Sequence, residues 1–263
     1  MAALLLFSTG VIWVFATALF VISLVIKRND IADVAWGTGI LLVALVAYVK
    51  SLNGSLVILI LFVLAALWGL RLTVRILLRN IKKKEDSRYA QWREQWGKWF
   101  YVRSYFQVYL LQGFLMIVVG YPFLHASYFG QGHQVGPLAM IGGILWCVGY
   151  FFEVVSDYQL DRFLANKNNH GKIMTSGLWK YSRHPNYFGE VTMWWGIWLM
   201  VLTMPYGYIA VMSPIMITFL ILKVSGIPML EKRFEGNEEF ENYKERTNAF
   251  FPFKPKLKQH QNN

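Results

Sequence analysis

The sequence predicts an all-α integral membrane protein, on the basis of its composition, the length of its apolar segments and the placement of its charges. Of 263 residues, 56% are hydrophobic and 16% are charged, which is more apolar than a soluble domain of this size. A spanning helix needs ~20 mainly apolar residues. Seven segments approach this length: 3–26, 31–49, 55–78, 106–124, 137–156, 188–203 and 206–224. Their short separators predict a single membrane-embedded domain over 1–263.

The positions of the basic residues predict the topology. Of the 26 Lys and Arg residues, 22 fall in segments 27–30, 79–105, 157–187 and 225–263. Basic loops face the cytosol, so we expect an external amino terminus, an odd number of spans and a cytosolic carboxy terminus. The net charge of +11 then indicates anionic membrane lipids as partners and no nucleic acid.

The cytosolic segment 79–105 has its own pattern. Aromatic residues recur there at three- and four-residue spacing and alternate with basic residues. The aromatic residues are Tyr89, Trp92, Trp96 and Trp99, and the basic residues are Arg88, Arg93, Lys98 and Arg103. Aromatic and basic residues in this arrangement are typical of an amphipathic helix at the lipid headgroups. The alternative, stacking of single-stranded RNA bases on the aromatics, fits a membrane protein poorly.

Acidic residues within the helices are the next candidates. Glu153, Asp157 and Asp161 recur every four residues and share one face of the fifth helix, but no His accompanies them at ligand spacing, so we predict no metal site. Asp30 and Asp33 begin the second helix. Asp30 is expected to cap it, and Asp33 either to stabilise its first turn or to face the bundle and orient a substrate or cofactor.

The stretch 177–190 carries the strongest candidate site. Arg183 and His184 lie beside the expected start of the sixth helix, where backbone N–H groups and an Arg fork favour phosphate or another anion. Asn186 and Tyr187 add hydrogen-bonding groups. Glu190 would lie inside a spanning helix, where a carboxylate is costly and usually functional. The alternative is that these polar side chains bind no ligand and only extend towards the lipid headgroups.

This stretch also carries a family resemblance. The string SRHPNYFGE at 182–190 resembles a signature of the steroid 5-alpha-reductase superfamily, closest to its bacterial branch of largely uncharacterised membrane proteins. Further matches are DIADVAWG at 30–37, SGIPMLEKR at 225–233, and Tyr243 followed by RTNAFFP at 246–252. The region 157–263 is similar to the reductase carboxy-terminal domain, and a bacterial cytoplasmic membrane is the expected location.

The resemblance implies a seven-helix fold that binds NADPH in a cytosolic pocket and reduces an enone-type double bond of a steroid- or lipid-like substrate. The resemblance places Glu190 in a Gly-Glu pair of the reductases, and we expect catalytic roles for Glu190 and, from its position at the start of the second helix, for Asp33. The cofactor-binding residues that it implies, together with those suggested by their positions, are Asn80, Asp157, Tyr181, Arg183, His184, Asn186, Tyr187, Arg233 and Tyr243. The chain departs from the family in its second and third helices, where Trp68 replaces an expected Tyr and no clear Glu equivalent is present.

Two other functions remain open. Membrane methyltransferases that use S-adenosylmethionine share an Arg-His-Pro-x-Tyr motif, which residues 183–187 match, and have an acidic tail with a spaced Tyr, which residues 238–243 match. A non-catalytic lipid-binding protein is the third class. Asn186 and the Phe-Gly-Glu ending at 188–190 favour the reductase.

Overall fold

The computed structural model describes residues 1–51, 55–81 and 83–256. Over these ranges the chain is helical, without a β-strand. The helices are α1 (Ala2–Ile26), α2 (Ile31–Lys50), α3 (Leu56–Ile81), α4 (Ser87–Trp96), α5 (Phe100–Ser104), α6 (Leu111–Phe129), α7 (Pro137–Ala165), α8 (Pro185–Val201), α9 (Met212–Phe219), α10 (Ile227–Glu231) and α11 (Glu238–Arg246). Lys82 of the predicted interfacial segment and the tail beyond residue 256 lie outside the described residues.

Six helical runs in the described part of the chain are long and apolar enough to cross a membrane, which confirms the all-α membrane class. They are Ala2–Ile26, Ile31–Lys50, Leu56–Ile81, Ser87–Phe129, Pro137–Ala165 and Gly207–Phe234. The sixth predicted segment forms α8, which has 17 residues and is short for a spanning helix. Seven spans therefore stay a prediction.

Several predicted boundaries were wrong. The fourth predicted span does not begin at residue 106. Helical turns run from Ser87 to Phe129 through a 3₁₀ turn (Gly97–Trp99) and a π-helical turn (Tyr105–Leu110). Likewise, α7 continues to Ala165 rather than ending near residue 156. Hydropathy detects the apolar middle of such helices, whereas their polar ends are stabilised by side-chain partners.

The chain packs as two compact units. The first comprises Met1–Ala139 with Val201–Ser213. Within it, α2 and α3 approach so closely that a Cβ placed on Gly37 would lie 2.5 Å from the carbonyl oxygen of Gly69. Small residues allow membrane helices this backbone contact. The Ser213 hydroxyl donates to the Val119 carbonyl at 2.6 Å and fixes the returning segment on α6.

The second unit comprises Met140–Met200 with Pro214–Asn263. Its α7 and α8 cross in backbone contact at two glycine pairs. A Cβ on Gly142 would lie 2.4 Å from the Gly196 carbonyl oxygen, and a Cβ on Gly149 would lie 2.5 Å from that of Gly189. This crossing brings the polar ends of α7 and α8 together, and the candidate site lies there.

Candidate functional site

The loop before α8 is fixed to α7 by polar contacts. Gly177 has a positive φ of 62°, and a Cβ there would also meet the Gln159 amide at 2.5 Å. The Gln159 Oε1 accepts from the Leu178 backbone N–H at 2.9 Å. The Trp179 indole N–H donates to the Ser156 carbonyl at 3.0 Å. Because the two central residues of the 3₁₀ turn at Gly177–Lys180 are bonded to α7, the loop that leads to α8 is fixed on α7.

Arg183 and His184 converge on one carboxylate, that of Glu231. The Arg183 Nε and Nη2 lie 2.9 and 3.2 Å from the two Glu231 oxygens. The His184 Nε2 lies 3.0 Å from Glu231 Oε1. The Arg183 side chain is 10% exposed and that of Glu231 is 17% exposed, so this bidentate pair is largely shielded from water and strong.

The carboxy-terminal segment closes over the same loop. The Ser182 hydroxyl donates to the Phe250 carbonyl at 2.8 Å. The Asn248 carbonyl accepts from the Arg183 backbone N–H at 2.9 Å. The Tyr243 hydroxyl donates to the Trp179 carbonyl. Burial raises the pKa of Tyr243, so its hydroxyl stays protonated and remains a donor.

Acidic and amide side chains of α7 and α8 lie near the start of α8. We call them the amide–carboxylate cluster, which consists of Glu153 and Asp157 of α7 and Asn186 and Glu190 of α8. The Asn186 side-chain nitrogen lies 3.4 Å from Asp157 Oδ1, and the Asn186 side-chain oxygen accepts from the Tyr187 N–H at 3.0 Å. Glu153 and Asp157 are 3% and 5% exposed. Glu190 is half-buried one turn further along α8. Buried ionisable groups between apolar helices are costly, which makes this cluster the candidate functional site.

The groups of the predicted anion site at this helix start are bonded to protein groups. The Arg183 fork faces Glu231, and the Arg183 Nη1 also donates to the Thr247 carbonyl at 2.5 Å. The Tyr187 N–H, one of the first donors of α8, is bonded to Asn186. Because these groups already have protein partners, Arg183 and His184 hold the loop in this structure.

The other predicted residues of the second unit are distributed around the loop. Tyr187 stacks on His184 with ring centroids 5.6 Å apart. Tyr181 is 40% exposed and Arg233 is exposed. Tyr243 is buried beneath the loop. Their roles in cofactor binding stay predictions. The sequence suggested either a headgroup contact or a cofactor contact for Glu231, and its pairing with Arg183 and His184 was missed. Nothing in its local pattern reveals partners that lie 47 and 48 residues away.

The first unit holds Asp33 and Asn80. The Asp33 carboxylate accepts from Arg88 at 2.8 Å and from the Tyr89 hydroxyl at 2.9 Å. It therefore joins the start of α2 to α4. The Asn80 carbonyl accepts from Arg28 at 3.1 Å. Asp30 occupies the N-cap position of α2, as expected, but its side chain makes no cap bond. The Asp30 carboxylate instead accepts from Arg28 at 3.0 and 2.7 Å.

We expect Asp33→Asn to loosen α4, because the neutral amide loses the charge attraction to Arg88. Charge-assisted hydrogen bonds contribute roughly 1.5–3 kcal/mol. If α4 opens and closes faster than trypsin cleaves it, the cleavage rate follows the population of the open form. Trypsin should then cleave within residues 83–103 at least about tenfold faster. Limited proteolysis followed by mass spectrometry measures this rate. Glu94→Gln, which makes the same chemical change at an exposed position of α4, is the control. Equal cleavage rates in both variants would show that Asp33 does not anchor α4.

Comparison with known proteins finds one family. A model described as "Protein of unknown function (DUF1295)" matches residues 19–247. This family is associated with the steroid 5-alpha-reductase-like superfamily. No curated protein and no solved structure matches the chain.

Proposed function

Because the chain belongs to the DUF1295 family, we propose that it is a membrane-embedded, NAD(P)H-dependent reductase of a carbon–carbon double bond in a hydrophobic, steroid- or lipid-like substrate. The association of this family with the steroid 5-alpha-reductase-like superfamily supports the proposal. The proposal includes seven spans, with α8 as a short one, an external amino terminus and a cytosolic carboxy terminus. It places the protein in a bacterial cytoplasmic membrane.

The observation that carries the proposal is the amide–carboxylate cluster between α7 and α8. A nicotinamide nucleotide presents ribose hydroxyls and a carboxamide, whose N–H and O–H groups suit the carboxylates of Asp157 and Glu190 and the Asn186 amide. The exposed Arg233 and Lys180 are cations of the same unit, and we assign them to the phosphates of the cofactor. The residues present therefore fit the cofactor, which supplies a hydride when bound.

The protein's own groups then have defined tasks. The apolar helices hold the lipid-like substrate and exclude water. We assign to Glu190 the transfer of a proton to the substrate carbon, because it is the half-buried carboxylate within α8 and a positioned carboxyl group can act as a general acid. Asp33, with its carboxylate bound by Arg88 and Tyr89, acts in this proposal by positioning α4.

A second function, methyl transfer from S-adenosylmethionine, is favoured by a different observation. Arg183 and His184 are engaged with Glu231, so the buried groups of the amide–carboxylate cluster are acidic or neutral rather than basic. Carboxylates complement the sulfonium and ammonium centres of that cosubstrate better than they complement a diphosphate.

Ligand-induced stabilisation in detergent separates these functions. We expect NADPH to raise the melting temperature and S-adenosylmethionine to leave it unchanged. A ligand at a hundred times its Kd stabilises by about 2.7 kcal/mol. Asn186→Ala removes a donor and an acceptor and should weaken NADPH binding about tenfold. Asn168→Ala, at an exposed loop position, should leave the binding unchanged.

The other outcomes decide among the alternatives. Stabilisation by S-adenosylmethionine alone would establish the methyltransferase reading. Stabilisation by neither molecule would favour a non-catalytic lipid-binding protein. Full NADPH affinity in Asn186→Ala would show that the nucleotide does not bind at the amide–carboxylate cluster.

A further inference from the structure

We propose that the segment around α4 and α5 in the first unit binds anionic phospholipid headgroups selectively. The binding surface, which we call the basic–aromatic surface, consists of Lys83, Lys84, Lys98, Trp99, Tyr101 and Arg103. All six side chains are exposed, with Trp99 at 57% and Tyr101 at 55%. This inference concerns a lipid site and does not depend on the proposed reductase activity.

The surface is positive because neighbouring acids are bound internally. Glu85 Oε1 accepts from the Asn29 backbone N–H at 2.7 Å. Asp33 and Asp86 both receive Arg88, at 2.8 and 2.9 Å. Arg93 also pairs with Glu85 at 3.3 Å. These acids therefore have partners within the protein, whereas the four cations of the basic–aromatic surface are exposed.

Glu94 is the one exposed acidic residue among the described residues of 83–106. The surface therefore has an excess of positive charge, and anionic headgroups attract basic residues that lie near a bilayer.

Aromatic rings give this surface a fixed shape. Trp92 and Trp96 stack with centroids 5.1 Å apart, and the Arg103 guanidinium lies 5.9 Å from the Trp96 ring centre. A guanidinium held over a ring keeps its N–H fork available for phosphate oxygens. Trp99 and Tyr101, whose rings are exposed, are of the types that lie at headgroup level in membranes.

Continuity with the spanning helix selects lipid as the occupant. The helical run continues through the π-helical turn into α6, and Phe106, just beyond the surface, is 60% exposed. An apolar span that begins directly after the basic–aromatic surface places that surface at the membrane boundary. Single-stranded RNA could also use exposed aromatics and cations, but an adjoining apolar span would not contact it.

The test uses the full-length protein in detergent, titrated separately with phosphatidylglycerol and phosphatidylcholine, with bound lipids counted by native mass spectrometry. We expect the wild type to prefer phosphatidylglycerol. A combined variant carrying Lys83→Gln, Lys84→Gln, Lys98→Gln and Arg103→Gln should lose at least about tenfold of this preference. The matched control removes four exposed cations of the second unit, with Lys167→Gln, Lys172→Gln, Lys254→Gln and Lys256→Gln, and should keep this preference.

Three results would overturn the proposal. The first is equal binding of the two lipids by the wild type. The second is an equal loss of preference in the control variant, which would indicate a general charge effect. The third is displacement of bound phosphatidylglycerol by an oligouridine at equal concentration, which would identify a nucleic-acid surface. Circular dichroism verifies that both variants keep their helix content, so that a loss of preference reports binding.

Discussion

Gly149→Ala is expected to destabilise the second unit by about 3 kcal/mol or more, because the new methyl group would overlap the backbone of α8. A Cβ at this position lies 2.5 Å from the Gly189 carbonyl oxygen and 2.7 Å from the Met193 nitrogen. Neither atom belongs to a flexible side chain, so the whole helix must move. Overpacking of a tight interface costs roughly 1–3 kcal/mol and more where backbone shifts. Thermal unfolding followed by tryptophan fluorescence in detergent measures the effect.

The same helix supplies the control. Gly143 also lies on α7, but a Cβ there would meet nothing within 4 Å. Gly143→Ala should therefore leave stability unchanged or raise it by up to about 1 kcal/mol, since alanine favours a helix over glycine. If the two variants have the same melting temperature, α7 and α8 do not cross in contact at these glycines.

Glu231→Gln is expected to destabilise the protein by about 3 kcal/mol and to shift its melting temperature by on the order of 10 °C. The neutral amide leaves the Arg183 guanidinium, whose side chain is 10% exposed, without its opposing charge. Breaking one partner of a buried ion pair costs more than the pair contributes, because the remaining charge stays buried. At this chain length, each kcal/mol corresponds to roughly 2–4 °C.

A nearby acid serves as the reference. Glu235→Gln removes the same charge at an exposed position and should change the melting temperature little. The double variant Arg183→Gln with Glu231→Gln tests the cause, because removal of both charges should recover part of the lost stability. If Glu231→Gln has the melting temperature of the wild type, the Arg183–Glu231 ion pair does not stabilise the loop.

Local patterns predicted the apolar helices well and their polar ends poorly. The bounds of α1, α2 and α3 agree with the predicted segments to within three residues, because an uninterrupted apolar run is nearly sufficient to specify such a helix. The amphipathic helix was anticipated from aromatic spacing, but its start depends on Asp86, which accepts from the Arg88 N–H at 3.0 Å. Gly97, with φ of 48°, ends α4 without ending the helical run, and hydropathy contains no such information.

The sequence predicted several residues of the candidate site but not the contacts between them. Asp157 and Asn186 were each selected from the sequence, and they are paired in the structure. The partner of Arg183 was missed, because a charge pair between residues 48 positions apart leaves no periodic trace in the chain. The sequence therefore indicated candidate residues, and the packing of α10 and α11 against the loop determines which protein groups they contact.

The closure of the carboxy-terminal segment over the loop at 177–185 has a consequence for biogenesis. The Phe250 and Asn248 carbonyls that bind Ser182 and Arg183 belong to a part of the chain that is translated long after α8. A nascent polypeptide thus inserts most of its membrane helices before its candidate site can be assembled. Until those late residues leave the ribosome, Ser182 and Arg183 remain without these contacts, and the candidate site stays incomplete while the preceding helices are already in the bilayer.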